Sequence, residues 1–131
     1  MVHNRFVVAG SFALIAIPAF AGTTHTVTAL TGPNRYEPAA LTINAGDSVT
    51  FTSGGGFHNV VSDDGAVTAF RCANGCDATG GDGTPAGPGW SATVVFPTPG
   101  EAPYHCEVHG TAMTGLVTVV EAPIFKDGFD G

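Results

Sequence analysis

The sequence contains few charged residues, and basic residues are the scarcest among them. Its 131 residues include four Lys or Arg against eleven Asp or Glu, and the formal net charge at pH 7 is −7. Proteins that bind nucleic acids or anionic membrane surfaces use Lys and Arg to contact phosphate groups. The composition therefore excludes nucleic acid as an expected partner and favours a protein partner with a basic or neutral surface.

Long apolar stretches are also missing, apart from one near the start of the chain. Residues 6–20 are almost wholly apolar, follow His3 and Arg5, and end in the A-x-A pattern of Ala19-Phe20-Ala21. Such a segment is typical of a cleaved export signal, and it is short for a membrane span. We therefore expect residues 1–21 to be a signal peptide, the protein to be periplasmic or secreted, and no stable membrane insertion after cleavage. The alternative is an uncleaved membrane anchor.

The rest of the chain has little helix-forming sequence and is long enough for one core. Without residues 1–21 it has three basic residues against eleven acidic ones, which makes the net charge −8. Short runs rich in Val, Thr and Phe alternate with Gly, Pro, Asn and Asp, which is typical of strands and turns. We predict an all-β, Greek-key β-sandwich of seven or eight strands over residues 22–121, followed by a short tail at 122–131. The runs lie at residues 23–30, 41–43, 48–52, 57–61, 67–70, 90–96, 102–106 and 115–120.

One segment between these runs, Arg71–Gly89, is rich in Gly, Asp, Ala and Pro and predicts a long irregular loop. Alternation within the strands predicts the core, subject to register. The expected core residues are Val49, Phe51, Val60, Val94, Phe96, Leu116, Val117 and Val119.

The three cysteines are an odd number for an exported protein. Cys72 and Cys76 lie close together in the predicted loop, and a local disulfide is the simplest expectation there. That pairing leaves Cys106 as an unpaired thiol in an oxidising compartment, unless a metal occupies it. The alternative pairs Cys106 with Cys72 or Cys76.

A metal is the more attractive explanation because of the residues around Cys106. The segment reads Cys106-x-x-His109-x-x-x-Met113, and these side chains offer a thiolate, an imidazole and a thioether. This is the donor set that copper prefers when it must serve both Cu(I) and Cu(II), and His58 is a candidate for the second imidazole. Asn59, beside it, is a candidate to orient the ligands.

Histidine is too scarce for a multicopper enzyme. After the signal segment the chain has only four histidines, and two of them are already assigned to the first copper. We expect His25, near the start of the first strand, to face solvent. Strand alternation directs His105 away from the side that Cys106 occupies, so we expect it on the surface.

At this point the sequence resembles a known family in two segments. Residues Tyr36–Phe51 leading to His58-Asn59-Val60-Val61 are similar to the first half of a small cupredoxin, and Tyr104–Val119 is similar to its second half. The resemblance is to the plastocyanin/azurin group of type 1 (blue) copper proteins. It covers nearly all of the chain after the signal segment except Arg71–Gly89 and the tail.

The resemblance implies that His58, Cys106, His109 and Met113 bind one type 1 copper ion. It also implies that the backbone N–H of Asn59 helps to tune the Cys106 sulfur. The function implied is that of an electron carrier, not an enzyme, acting between redox protein partners.

These partners would dock near the exposed ring edge of His109, and we expect the carrier to be a monomer. The residue before the cysteine is His105, where plastocyanins carry a Tyr that serves as a second electron port. The alternatives are a copper delivery or sequestration module with similar ligands, and a structural domain without metal.

Overall fold

The computed structural model describes residues 22–123, and apolar alternation sets the orientation of its strands as the sequence predicted. In the strand Asp47–Ser53, for example, Val49 and Phe51 are buried, while the alternate residues Ser48, Thr50 and Thr52 are half-buried. Within the described residues there are ten strands and one 3₁₀ helix at Asp77–Thr79. The strands are β1 Thr24–Leu30, β2 Arg35–Glu37, β3 Ala40–Asn44, β4 Asp47–Ser53, β5 Val60–Ser62, β6 Arg71–Ala73, β7 Gly75–Cys76, β8 Ser91–Phe96, β9 Gly100–Cys106 and β10 Gly110–Val120.

These strands form two sheets, which confirms the predicted all-β sandwich. One sheet has the order β2-β1-β4-β8 and the other the order β3-β10-β9-β5-β6-β7. Most strand pairs are antiparallel, whereas β1 pairs with β4 and β10 pairs with β3 in parallel. Parallel pairs arise here because the chain crosses between the sheets, so that β3 lies in one sheet while β2 and β4 lie in the other.

The segment predicted as an irregular loop contains more structure than expected. Arg71–Gly89 includes β6, β7 and the 3₁₀ helix. Its residue Ala86 also forms an isolated β-bridge with His58. The predicted edge strand at residues 67–70 is not a strand. The short strands β6 and β7 have weak intrinsic propensity and form because β6 pairs with β5, which is a tertiary effect.

The core between the sheets agrees with the prediction except at one position. Seven of the eight expected core residues are buried, whereas Leu116 is only half-buried because its neighbour Val117 faces the interior. Five aromatic rings form a connected cluster with centroid distances of 4.9–6.1 Å. These rings belong to Tyr36, Phe51, Phe70, Phe96 and Tyr104.

The predicted signal peptide, residues 1–21, and most of the predicted tail lie outside the described residues. The division of the chain at residues 21 and 121 therefore stays a prediction. Among residues 22–123, no helix has the length and apolar character that crossing a membrane requires.

Candidate metal centre

Three of the four predicted ligands converge at one site. His58 lies just before β5, Cys106 ends β9, and His109 lies in the turn that leads into β10. The Cys106 Sγ atom is 3.9 Å from His58 Nδ1 and 3.5 Å from His109 Nδ1. One ligand atom from each of the three residues lies within 4.8 Å of the others, so a single ion could contact all three.

The site is buried on the side of His58 and Cys106 and open on the side of His109. His58 and Cys106 are both 0% exposed, whereas His109 is half-buried. Cys106 is a free thiol, since Cys72 and Cys76 form the predicted disulfide. A buried site with one half-buried imidazole can exclude water and still present a ring edge to a partner.

The His58 ring is held so that Nδ1 faces the sulfur. Its other nitrogen, Nε2, is buried and makes no hydrogen bond. Gly56 has a φ of +82°, and a Cβ atom at this position would lie 2.6 Å from Nε2, so only glycine fits beside the ring. Burial, followed by the neighbouring His109, lowers the pKa of His58 and favours the neutral imidazole that a metal requires.

The fourth predicted ligand, Met113, lies in β10 and is 1% exposed. The pairing of β10 with β9 changes register between Gly110 and Thr114, so Met113 lies in an irregular part of the strand. Such an irregularity can redirect a side chain relative to a regular ladder.

Asn59 connects the segments that carry His58 and Cys106. Its side-chain oxygen accepts a hydrogen bond from the Glu107 backbone N–H at 2.9 Å, and its side-chain nitrogen donates to Glu107 Oε1 at 2.9 Å. The same nitrogen donates to the Gly83 carbonyl at 2.9 Å. The fully buried Asn59 amide therefore has a partner for each polar group.

The Glu107 carboxylate is in turn paired with Arg71. The Arg71 guanidinium, with a smaller contribution from the Asn59 amide, holds the pKa of the Glu107 carboxyl below its ordinary value against the opposing effect of burial. Hydrogen bonding to Glu107 correspondingly raises the pKa of Arg71. Both groups are therefore charged at neutral pH.

Two aromatic side chains hold the backbone at His58, the first predicted ligand. Trp90 Nε1 donates to the His58 carbonyl at 3.1 Å, and the Tyr36 hydroxyl donates to the Asn59 carbonyl at 2.5 Å. Ala86 forms an isolated bridge with His58 through two backbone hydrogen bonds of 3.0 and 3.1 Å. The backbone of His58 is therefore fixed although it lies outside a regular strand.

The remaining histidines of the described region lie apart from this site. His105 is one-third exposed, and its Nδ1 is 2.6 Å from Asp63 Oδ1, which agrees with the predicted outward orientation. His25 is less exposed than expected, because its Nε2 lies 2.9 Å from Asp47 Oδ2. In both cases a carboxylate partner accounts for the position of the imidazole.

Sequence reasoning missed four residues that support the site, namely Tyr36, Arg71, Trp90 and Glu107. Glu107 follows the predicted cysteine directly, which is a signal that could have been used. Tyr36, Arg71 and Trp90 lie 23, 36 and 32 positions from their bonding partners, so no local pattern reveals them.

The donor set fits copper. Two imidazole nitrogens and a thiolate around one point, with a thioether as a weak further ligand, are characteristic of type 1 copper sites. The separation of Sγ from each Nδ1 leaves room for an ion between the side chains without a large rearrangement.

Comparisons with known proteins point to the same chemistry. Over 86 residues the chain is 49% identical to the chloroplastic plastocyanin of Tetradesmus obliquus, covering 64% of this chain and 57% of that protein. It is 37% identical over 118 residues to the plastocyanin of Prochlorothrix hollandica, covering 86% and 84%. The oxidised plastocyanin of the fern Dryopteris crassirhizoma superposes with a TM-score of 0.53 at 26% identity, covering 72% and 98%.

The chain spans about half the length of the chloroplastic plastocyanins of Tetradesmus obliquus and Physcomitrium patens, 57% and 49% respectively. The relatives named here are plastocyanins, the group that the sequence resembled. The family model for copper binding proteins of the plastocyanin/azurin family matches residues 23–120. The chain therefore belongs to the plastocyanin/azurin family of copper-binding proteins, as its sequence predicted.

Proposed function

We propose that His58, Cys106, His109 and Met113 hold one type 1 copper ion and that the protein carries single electrons between redox partners. When bound, the ion supplies the Cu(I)/Cu(II) couple. The observation that carries this proposal is that one ligand atom each from His58, Cys106 and His109 lies within 4.8 Å of the others.

The surroundings of these side chains support electron transfer over other uses of copper. A carrier must change charge with little movement of its ligands, and here His58 and Asn59 are fixed through their backbone and side-chain hydrogen bonds. Complete burial of Cys106 protects the thiolate from water and from oxidation.

The absorption spectrum of the copper-loaded protein tests the ligand set. We expect an intense visible band from thiolate-to-copper charge transfer, lost in Cys106→Ser and lost or strongly shifted in His58→Ala. His105→Ala is the matched control, because His105 adjoins the cysteine but faces Asp63, and this variant should keep the band. A colourless Cu(II) protein, or full colour in Cys106→Ser, would contradict the proposal.

The docking surface for redox partners is proposed around His109. Phe57 and Val108 are 54% and 46% exposed, and each adjoins a proposed ligand in the sequence. Exposed apolar side chains beside an open imidazole suit a transient partner that must approach the metal closely. The acidic net charge of the chain favours partners with a basic or neutral surface.

Electron self-exchange between oxidised and reduced molecules tests this surface without requiring a known partner. Val108→Asp should slow self-exchange by about tenfold or more, because it places a charge on the surface through which two like-charged molecules meet. Val95→Asp is the control, since Val95 is 55% exposed but lies on β8 of the other sheet, and it changes the net charge equally. Equal rates in the two variants would contradict the proposed surface. Slow self-exchange in the unmodified protein would favour copper delivery or sequestration instead.

We further propose that the protein is exported to the periplasm or secreted and acts as a monomer. The apolar segment ending at Ala21 and the Cys72–Cys76 disulfide support export, since disulfides persist in oxidising compartments. Fractionation and the mass of the purified protein test this proposal, with Gly22 expected as the first residue and a monomeric mass in solution. An intact N-terminus in the membrane fraction would instead indicate an anchor.

A further inference from the structure

We propose that Arg71 is a positioning residue for the copper site, acting through Glu107 and Asn59. This inference rests on the proposed ligand set, because its effect on copper requires that His58 and Cys106 bind the metal. Arg71 does not contact either ligand directly. It holds a carboxylate that, with Asn59, fixes the two ligand-bearing segments relative to each other.

The first step is the contact between Asn59 and Glu107. The two residues share a pair of hydrogen bonds, one from the Glu107 backbone N–H to Asn59 Oδ1 and one from Asn59 Nδ2 to Glu107 Oε1, each 2.9 Å long. Asn59 directly follows His58, and Glu107 directly follows Cys106. This pair therefore sets the distance between the segments that carry the two buried ligands.

The second step is the attachment of Arg71 to the same carboxylate. Arg71 Nη2 donates to Glu107 Oε1 at 2.9 Å, and Arg71 Nε donates to Glu107 Oε2 at 3.3 Å. Two parallel donors from one planar guanidinium fix the orientation of a carboxylate as well as its position. A lysine would keep the charge and lose this geometry.

The third step is the anchoring of Arg71 itself. It begins β6 and precedes Cys72, whose disulfide with Cys76 closes the adjoining turn. Gly83 packs directly on Arg71, since a Cβ atom at Gly83 would lie 2.8 Å from Arg71 Cγ and still closer to its carbonyl. The Gly83 carbonyl also accepts the second hydrogen bond from Asn59 Nδ2. The guanidinium and the Gly83 carbonyl thus both belong to the network around Asn59 and Glu107.

Arg71 could also influence copper simply through its charge, and substitutions separate the two effects. A pure charge effect predicts that Arg71→Gln lowers the reduction potential and Glu107→Gln raises it, while Arg71→Lys leaves it unchanged. A positioning role predicts that Arg71→Lys resembles Arg71→Gln, because both lose the two-donor geometry. It also predicts that Glu107→Gln shifts the copper spectrum in the same direction as the Arg71 variants. The reason is that the Gln amide would turn an NH₂ donor toward the guanidinium, which is itself a donor.

The decisive measurement without copper is amide hydrogen exchange at Glu107 in the apoprotein. Loss of the Arg71 contact should speed exchange of this N–H by about tenfold in Arg71→Lys and Arg71→Gln, because the Asn59–Glu107 pair loosens. Arg35→Gln is the matched control. Arg35 makes a similar surface ion pair with Glu37 at 3.7 Å, on a strand of the other sheet, and its loss should leave exchange at Glu107 unchanged.

The copper-loaded protein gives the second readout. Arg71→Lys, Arg71→Gln and Glu107→Gln should all shift the energy of the visible charge-transfer band and the Cu(II) hyperfine splitting in the same direction, and Arg35→Gln should shift neither. The inference is overturned if Arg71→Lys matches the unmodified protein in both exchange and spectrum, or if the Arg71→Gln and Glu107→Gln shifts have opposite signs. Because exchange is measured without copper, it tests the network even if the ligand set is wrong.

Discussion

Asp47 offers a test of how the start of β1 is stabilised. Its carboxylate is 5% exposed and accepts three hydrogen bonds. The donors are the Thr23 backbone N–H at 2.9 Å, the Asn44 backbone N–H at 3.0 Å and His25 Nε2 at 2.9 Å. One side chain thereby connects the start of β1 with the turn between β3 and β4.

The substitution Asp47→Asn removes the charge and one of the two acceptor oxygens without changing the size of the side chain. The remaining oxygen can serve either Oδ position, and the new NH₂ group then faces a backbone donor. A hydrogen bond to a charged group contributes roughly 1.5–3 kcal/mol. We expect Asp47→Asn to lower the free energy of unfolding by about 2 kcal/mol at pH 7.

The pH dependence of this loss follows from the direction of the pKa shift. The hydrogen bond with His25, followed by those from the Thr23 and Asn44 backbone, lowers the pKa of Asp47 below its ordinary value of 3.8. A carboxyl with a depressed pKa in the folded state contributes stability above its ordinary pKa and loses it as the pH falls through the folded pKa. The difference between the unmodified protein and Asp47→Asn should therefore persist above about pH 5 and shrink on further acidification.

Urea denaturation of the copper-free protein at several pH values measures this difference. Asp64→Asn is the matched control, because Asp64 is an exposed carboxylate, and it should change stability little at any pH. The visible band of the copper-loaded Asp47→Asn protein should be unchanged. The reasoning is refuted if Asp47→Asn costs nothing at pH 7, or if its cost at pH 2 equals its cost at pH 7.

Three further substitutions test other parts of the molecule. Met113→Leu should keep the visible band and raise the reduction potential, measured by electrochemistry, because a weak donor that favours Cu(II) is removed. Trp90→Phe should lower the free energy of unfolding by only about 1 kcal/mol in urea, since the His58 carbonyl keeps its bond from the Ala86 N–H. Replacing both Cys72 and Cys76 with Ala should cost about 2 kcal/mol in thermal or urea unfolding, as expected for a loop closed between residues four positions apart; no change in stability would contradict this.

The sequence predicted most of the strands in which one face is buried and the other is not, although it missed β2 at Arg35–Glu37. The strands β4 and β8 show this alternation clearly, and their predicted core residues are buried. The prediction failed where strands form through tertiary pairing. Residues Gly75–Cys76 have low strand propensity and pair with β6 only because β6 is held by β5.

The same distinction applies to the site. The spacing of Cys106 and His109 is local, so the sequence alone could suggest a soft metal site there. From the donor set alone His58 was only a candidate for the second imidazole, because 48 positions separate it from Cys106, and the family resemblance then implied that it is a ligand. The ion pair of Arg71 and Glu107 was not predictable, since many acidic residues could in principle meet either of the two arginines of the described region, and only the folded arrangement selects one.

Hydrogen bonds to the carbonyl groups of His58 and Asn59 connect the core to the proposed metal centre. Both carbonyls belong to the segment before β5, and each accepts a hydrogen bond from an aromatic side chain of the core, Trp90 and Tyr36 respectively. Burial, followed by the nearby Cys106, raises the pKa of Tyr36, which favours the protonated hydroxyl that donates this bond. Packing of the Tyr36 ring against Tyr104 fixes the position of this donor. Because a buried carbonyl without a donor costs about 1–3 kcal/mol, moving His58 would break bonds that the packed core cannot re-form elsewhere. The aromatic core therefore fixes the backbone at the proposed ligand His58 without any contribution from a metal.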